Sequence, residues 1–437
     1  MINKLKSAFK NLKKRPFVRN VIIMASGTAA AQAIGMALSP VITRLYGPEA
    51  FGMMGVFTAA VMIISPVAAL TYPIAIVLPR KNSDATGLIR LSLYIAAAIS
   101  VMVGLILLFF NESIARLFRI EDIAVYLYLI PLVILFAGFL QVAEQWLIRT
   151  QQFSITARVK VMHAIILQGS KVGMGFFHPV AAVLIVLTVL GQALNAFMLI
   201  LSAKRAGVRK PVKKEEEAAS LKELADRHRD FPKYRAPEAL ISAVSQNLPV
   251  LMLSTFFGPA AAGFYSIGRT VLNMPTQLIG KSVGDVFYPR ISEAANKGEN
   301  LTYLIKKATN GLAVVAAVPF GLVFLFGPWL FSFVFGADWQ DAGEYARWMA
   351  LWSFFGFMNR PSVRALPVLS AQAFHLKYTI VMLVIRLGAL AVGYYVFSSD
   401  LAAIALFGIS GSLLNAGLIL CTLNISKKFD AEREGRK

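Results

Sequence analysis

The side chains able to do chemistry in this sequence are ionisable groups stranded inside long apolar blocks. Eight stand there: Glu144, Lys171, Glu238, Arg269, Lys281, Asp285, Arg347 and Arg386. A charge at the centre of a bilayer costs between about 2.5 and 17 kcal/mol, so a helix that keeps one turns it toward protein or water, and such a residue marks function by default. Glu144, Glu238 and Arg347 stand near the ends of their blocks, where long side chains reach an interface. Lys281 and Asp285 are spaced i,i+4, which puts both on one helical face and lets them pair. Lys171, Arg269 and Arg386 lie deeper, with no acid nearby in sequence. Guanidinium and ammonium groups facing a shared cavity would offer charge-assisted donors to phosphate oxygens. Arg44 stands at the mouth of its block, ahead of Gly47-Pro48; guidance of an anionic headgroup and simple anchoring are both open there. The expected binding cations are therefore Arg269, Lys171, Arg386 and Arg44, with Glu144, Lys281 and Asp285 as coupling or structural charges.

Other chemistries find no support in the spacing. His163, His178, His228 and His375 fall on separate segments, so neither a metal site nor a histidine-based triad is indicated. The single cysteine, Cys421, lies in an apolar block and forms no internal disulfide or thiolate cluster. No GxxxxGK[ST] loop is present to cradle nucleotide phosphates. The chain is expected to be no enzyme and to carry no cofactor, with its energy drawn from an ion gradient or from consumption of a product downstream.

The elements that must position these charges are membrane helices. Apolar residues make up 57% of the 437 positions and charged ones 15%, against roughly a quarter charged in ordinary globular chains. The mean hydropathy is +0.64. A bilayer core needs roughly 20 apolar residues per spanning helix, and backbone in lipid must satisfy itself, so the blocks read as helices. Twelve spans are expected, near 20–42, 52–78, 88–110, 124–147, 159–177, 180–202, 236–257, 263–286, 308–327, 345–366, 378–397 and 401–424. The fold class is an all-α polytopic membrane protein of two six-helix bundles.

The organisation that follows has five parts. Residues 1–19 form a basic amphipathic segment on an anionic leaflet, and 20–202 the first bundle. Residues 203–235 form a charged cytoplasmic linker, 236–424 the second bundle, and 425–437 a tail. The N-terminal side holds 36 of the 44 lysines and arginines, which places both termini in the cytoplasm. The net charge of +21 is spread along these short loops, not gathered on a polar domain, so nucleic acid is no partner. Trp329, Trp339, Trp348 and Trp352 cluster where an outer aromatic belt is expected.

The two halves echo each other in order. Gly47-Pro48 with Gly52 returns as Gly258-Pro259 with Gly263; Leu78-Pro79-Arg80 returns as Tyr288-Pro289-Arg290. Gly191 with Leu194-Asn195-Ala196 returns as Gly411 with Leu414-Asn415-Ala416, and Lys171-Val172-Gly173 matches Arg386-Leu387-Gly388. Six helices per repeat is an even number, so the halves share one orientation about a pseudo-two-fold axis along the membrane normal, as in alternating-access carriers.

The same residues carry a family likeness. Gly27, Gln32, Pro40 and Thr43-Arg44-Leu45-Tyr46-Gly47-Pro48-Glu49-Ala50-Phe51-Gly52 resemble the start of the Wzx-type polysaccharide-biosynthesis flippases of the multidrug/oligosaccharidyl-lipid/polysaccharide (MOP) exporter superfamily. Tyr72-Pro73-Ile74-Ala75-Ile76-Val77-Leu78-Pro79-Arg80, and Arg149-Thr150-Gln151-Gln152-Phe153 into Ala157-Arg158, are similar to the same family. The resemblance implies transfer of an undecaprenyl-diphosphate-linked oligosaccharide from the cytoplasmic to the outer leaflet of a bacterial plasma membrane. Lipid II flippases and sporulation relatives carry two further C-terminal spans, so twelve spans favour an O-antigen or exopolysaccharide repeat unit. Membrane lipids, a polysaccharide polymerase and export machinery are the partners it implies. A drug or metabolite exporter of the same superfamily stays open, as does a membrane-embedded glycosyltransferase or polymerase, which the short outer loops disfavour.

Overall fold

The computed structural model describes residues 16–205, 219–276 and 281–434, without the side chains of 16–22, 205, 281–286, 289 and 434. Most of the basic N-terminal segment, residues 206–218 of the linker, and the side chains of Lys281 and Asp285 thus lie outside the described residues. Described residues form helices and turns and no strand.

Thirteen principal helices follow one another. They are α1 (Pro16–Ile64), α2 (Asn82–Leu117), α3 (Ile130–Arg149), α4 (Phe153–Gly175), α5 (Ala181–Arg205), α6 (Leu221–Arg227) and α7 (Ala236–Phe257). After these come α8 (Pro259–Pro275), α9 (Lys281–Lys297), α10 (Leu301–Phe335), α11 (Gln340–Met358), α12 (Gln372–Tyr395) and α13 (Asp400–Glu434). Among the described residues, eight stretches are long and apolar enough to cross a membrane. The one in α1 is broken at Gly47 and counts twice. Three further helices fall short by length or charge. Helix α4 carries Arg158, Lys160 and Lys171, α8 has only 17 residues, and α11 opens on a polar turn. With these the expected twelve spans are reached. One span ends earlier than expected: α11 stops at Met358 ahead of a separate short helix, Arg360–Ala365. The α8 span was expected to run to 286, across residues 277–280, which lie outside the described residues.

Contacts divide the chain into two units: unit 1 is Met1–Tyr46 with Met53–Leu251, and unit 2 is Gly47–Gly52 with Met252–Lys437. Much of the described part of the linker, residues 219–235, is no free tether. Ser220 caps α6 by accepting the Glu223 amide at 3.1 Å. Leu224 is fully buried among Tyr72, Ile76, Ala85, Leu88 and Val142. The Asp84 carboxylate accepts from the Ala219 amide and from Arg227, both at 3.3 Å. Tyr72 Oη donates to the Ala225 carbonyl and Thr71 Oγ1 to that of Phe231, each at 3.1 Å. The strap then runs through a π-helical turn, Phe231–Arg235, directly into α7. Beside it, Arg149 at the end of α3 donates to the carbonyls of Ile76 (3.1 Å) and Pro79 (2.7 Å) and to Asn82 Oδ1 (3.0 Å). That clasp accounts for the arginine at the head of the Arg149–Phe153 motif.

In unit 2, Ile291, Ala294, Leu301, Ile305, Ala365 and Leu369 form a corresponding cluster against the end of α13. Asp430 of α13 caps α10, accepting from the amides of Leu301 (3.1 Å) and Thr302 (2.9 Å) and from Thr302 Oγ1 (2.7 Å). Arg290 and Glu299 pair beside it, which holds the guanidinium above and the carboxyl below their ordinary ranges, each chiefly through that hydrogen bond.

The echoed Gly-Pro motifs adopt one conformation. Gly47 (φ 71°, ψ 170°) and Gly258 (φ 90°, ψ 174°) take a backbone that side chains rarely adopt, and the following proline starts a helix with its φ preset. Five residues on, Gly52 and Gly263 meet reciprocally within unit 2. A methyl on Gly52 would overlap the Pro259 carbonyl, and one on Gly263 that of Pro48. The tryptophans depart from the expected belt. Trp339 is 1% exposed, edge-on to Phe51 and Phe264, and Trp352 faces inward onto α12 and α13. Trp329 does lie exposed, stacked on Phe333.

Candidate functional site

Arg386 sits midway along α12, where apolar residues surround it in sequence on both sides. Its guanidinium carbon lies 4.0 Å from the ring centre of Trp352 on α11 and 4.1 Å from that of Phe407 on α13. The two rings meet at 75° with centres 5.6 Å apart, so they form a corner around the charge. Gly411 leaves space for that corner: a Cβ there would come 2.8 Å from Trp352 Cδ1 and 3.4 Å from Arg386 Nε. Nε is buried without a hydrogen-bond partner, and no carboxylate among the described residues lies within ion-pair reach of the group. A cation over an aromatic face gains about 2 kcal/mol or more when desolvated. The rings thus compensate part of the burial cost and consume none of the N–H donors.

Arg269 belongs to the same neighbourhood. It lies one turn beyond Tyr265 on α8, half-buried, with interactions of its own. Its charge acts on Arg386, and both act on the buried Tyr265 hydroxyl. Tyr265 in turn meets Phe407 edge-on at 6.2 Å. The structure therefore brings two of the four expected cations together in unit 2.

The other two stand in unit 1. Lys171 on α4 is half-buried, its ammonium 4.0 Å from the Met54 sulfur and without a carboxylate partner among the described residues. Its own carbonyl accepts from Tyr46 Oη at 2.9 Å. Gly175, one turn on, lets the Tyr46 ring lie flush, since a Cβ would come 2.7 Å from it. His163, two turns back on α4, lies 3.0 Å from the Gly191 carbonyl and within the field of Lys171. Arg44 is exposed on α1.

The remaining charges divide by partner. Glu238 pairs with Arg235 at 2.9 Å on an exposed surface. Arg347 pairs with Glu344 at 3.0 Å and donates to the Phe324 carbonyl at 3.1 Å. Glu144 on α3 is half-buried with no hydrogen-bond partner among the described residues, and Lys160 is the charge acting on it. Sequence reasoning did not single out Tyr265, Phe407 or Gly411 as companions of Arg386, and it placed Trp352 in the belt. A lone arginine in an apolar helix signals that π faces must be near, but not which ones.

These helices and cations define a multi-pass membrane protein with the fold of known membrane transporters. An inward-facing multidrug resistance MATE family transporter of the MOP superfamily matches over 93% of this chain and 99% of its own, with TM-score 0.69 and 13% identity. The lipid II flippase MurJ, in an inward closed conformation, matches over 92% of this chain and 87% of its own, with TM-score 0.70 and 15% identity. A MOP superfamily transporter from Pyrococcus furiosus, described as having a binding pocket of reverse polarity, matches over 95% and 97%, with TM-score 0.54 and 15% identity. At these identities the likeness is one of fold. No curated protein matches the chain in sequence. The family model described as polysaccharide biosynthesis protein matches residues 41–344, and the chain belongs to that family.

Proposed function

We propose that this chain is a flippase that carries an undecaprenyl-diphosphate-linked oligosaccharide, an O-antigen or exopolysaccharide repeat unit, from the cytoplasmic to the outer leaflet of a bacterial plasma membrane by alternating access. The observation that carries this reading is Arg386, a cation inside unit 2 with neither a carboxylate nor a hydrogen bond among the described residues and with the charge of Arg269 close by. A diphosphate would supply opposite charge to the Arg386 guanidinium and acceptors for N–H donors that meet none among the described residues. Membership of a polysaccharide biosynthesis family supports a saccharide as the cargo behind that diphosphate. On unit 1, Lys171 and Arg44 are the proposed anion-binding cations. The basic loops put both termini in the cytoplasm, and a polysaccharide polymerase and export machinery take up the product.

The test is export in cells that depend on this protein. Arg386→Ala and Arg269→Ala should abolish surface polymer and let lipid-linked precursor accumulate, with the protein still present in the membrane. Wild-type polymer from both variants, with Lys171→Ala equally harmless, would overturn the reading. Glu144 favours a second one, an ion-coupled exporter of the same superfamily. There Glu144→Gln should abolish export of a cationic dye while leaving polymer export intact.

A further inference from the structure

The ring faces around Arg386 hold its charge without using its hydrogen-bond donors, and that separates it from an arginine kept for packing. An arginine retained for structure has its N–H edge filled by a carboxylate or by carbonyls, as Arg149 and Arg347 do here. Arg386 has five donors in a rigid plane, and none of them meets a described acceptor. Trp352 and Phe407 bring no strong acceptor into the corner, and Nε is buried on the side where Gly411 packs, so the Nη groups are the edge left to meet an anion.

We infer that Trp352 and Phe407 are positioning residues for oxyanion recognition. They form an aromatic seat that presents the Arg386 guanidinium to a diphosphate with its Nη donors unengaged. The inference rests on the reading that Arg386 meets the diphosphate of the cargo, and it adds which residues set the geometry and why the cation is arginine. A lysine ammonium in the same corner would be a point charge without the planar fork that matches two phosphate oxygens at once. The seat also makes Trp352 a reporter, because an anion drawing on the guanidinium changes the charge against the indole.

The experiment uses the full-length purified protein, with inorganic diphosphate and a polyprenyl diphosphate as probes. Affinity is followed by calorimetry and the tryptophan emission is recorded alongside. Wild-type emission should shift on adding diphosphate, and in Trp352→Phe that shift should vanish while affinity stays within about twofold, since a ring face remains. Trp352→Leu, Phe407→Leu and Arg386→Lys should each weaken diphosphate binding by about tenfold or more, with helix content and melting temperature recorded for each. Binding by Trp352→Leu and Phe407→Leu at wild-type affinity, while Arg386→Ala binds weakly, would refute the seat and leave the site reading standing. Unchanged affinity in Arg386→Ala would instead remove the site reading itself. Should the leucine variants fail to fold, Trp352→Phe decides: a diphosphate-induced shift that survives the loss of this indole overturns the inference.

Discussion

Lys171 and Arg386 occupy matching places in the two repeats, yet their surroundings solve the buried cation in different ways. On α4 an ammonium ends beside a methionine sulfur, with its flexible stem the only feature that steers it. On α12 a guanidinium is fixed in a corner of two rings. A thioether is polarizable and adaptable, so the first arrangement tolerates a moving charge. The aromatic corner fixes both position and chemistry. The two cations that match in the sequence echo thus differ in what surrounds them: a thioether on one side, two ring faces on the other.

Exchange of the cations is the strongest way to break this comparison. Arg386→Ala should lower surface polymer by about a hundredfold or more, on the scale of losing two charge-assisted bonds in a dry site. Arg386→Lys should fall nearly as far, whereas Lys171→Arg should keep activity within a few-fold of wild type. Equal losses from the two conservative exchanges, measured in one export assay, would erase the distinction between the units.

A weaker effect is expected where the two units fasten the ends of their helices. Asp430 caps α10 with three hydrogen bonds, and Asp84 holds the strap with two longer ones. Asp430→Asn should therefore cost about 1–2 kcal/mol and Asp84→Asn about half that, read as the drop in thermal stability in detergent. A larger loss from Asp84→Asn would reverse that ranking.

The smallest effect is a pH dependence confined to unit 1. His228 ends α6 against Phe231, and its protonation is held below the ordinary histidine range by burial, then by Arg227, with Asp84 opposing. The docked strap therefore binds fewer protons than a released one. Docking is at full strength above about pH 6.5 and weakens as pH falls through that value. Amide exchange over residues 219–235 should accelerate at pH 5.5 relative to pH 7.5 beyond the intrinsic rate change, and His228→Gln should remove the difference. Equal acceleration in the variant would mean that another group carries the response.

Length and apolarity of the blocks made the helices legible, and the Gly-Pro echoes made the repeat legible, because both are local. The aromatic corner was not legible, since it joins three helices and the chain holds 31 phenylalanines, any of which could have supplied a ring. The strap left a readable signal that composition obscured. Ser220-Leu221-Lys222-Glu223 is a capping box, and Leu224 is an apolar residue amid charges. Docking of that turn ties the described part of the linker to unit 1.

The meeting of Gly52 with Gly263 has a mechanical consequence. Main chain presses on main chain there, so no rotamer can lengthen or shorten to accommodate a partial separation. Any side chain at either position would have to push the two backbones apart, so this close seating is open to glycine alone.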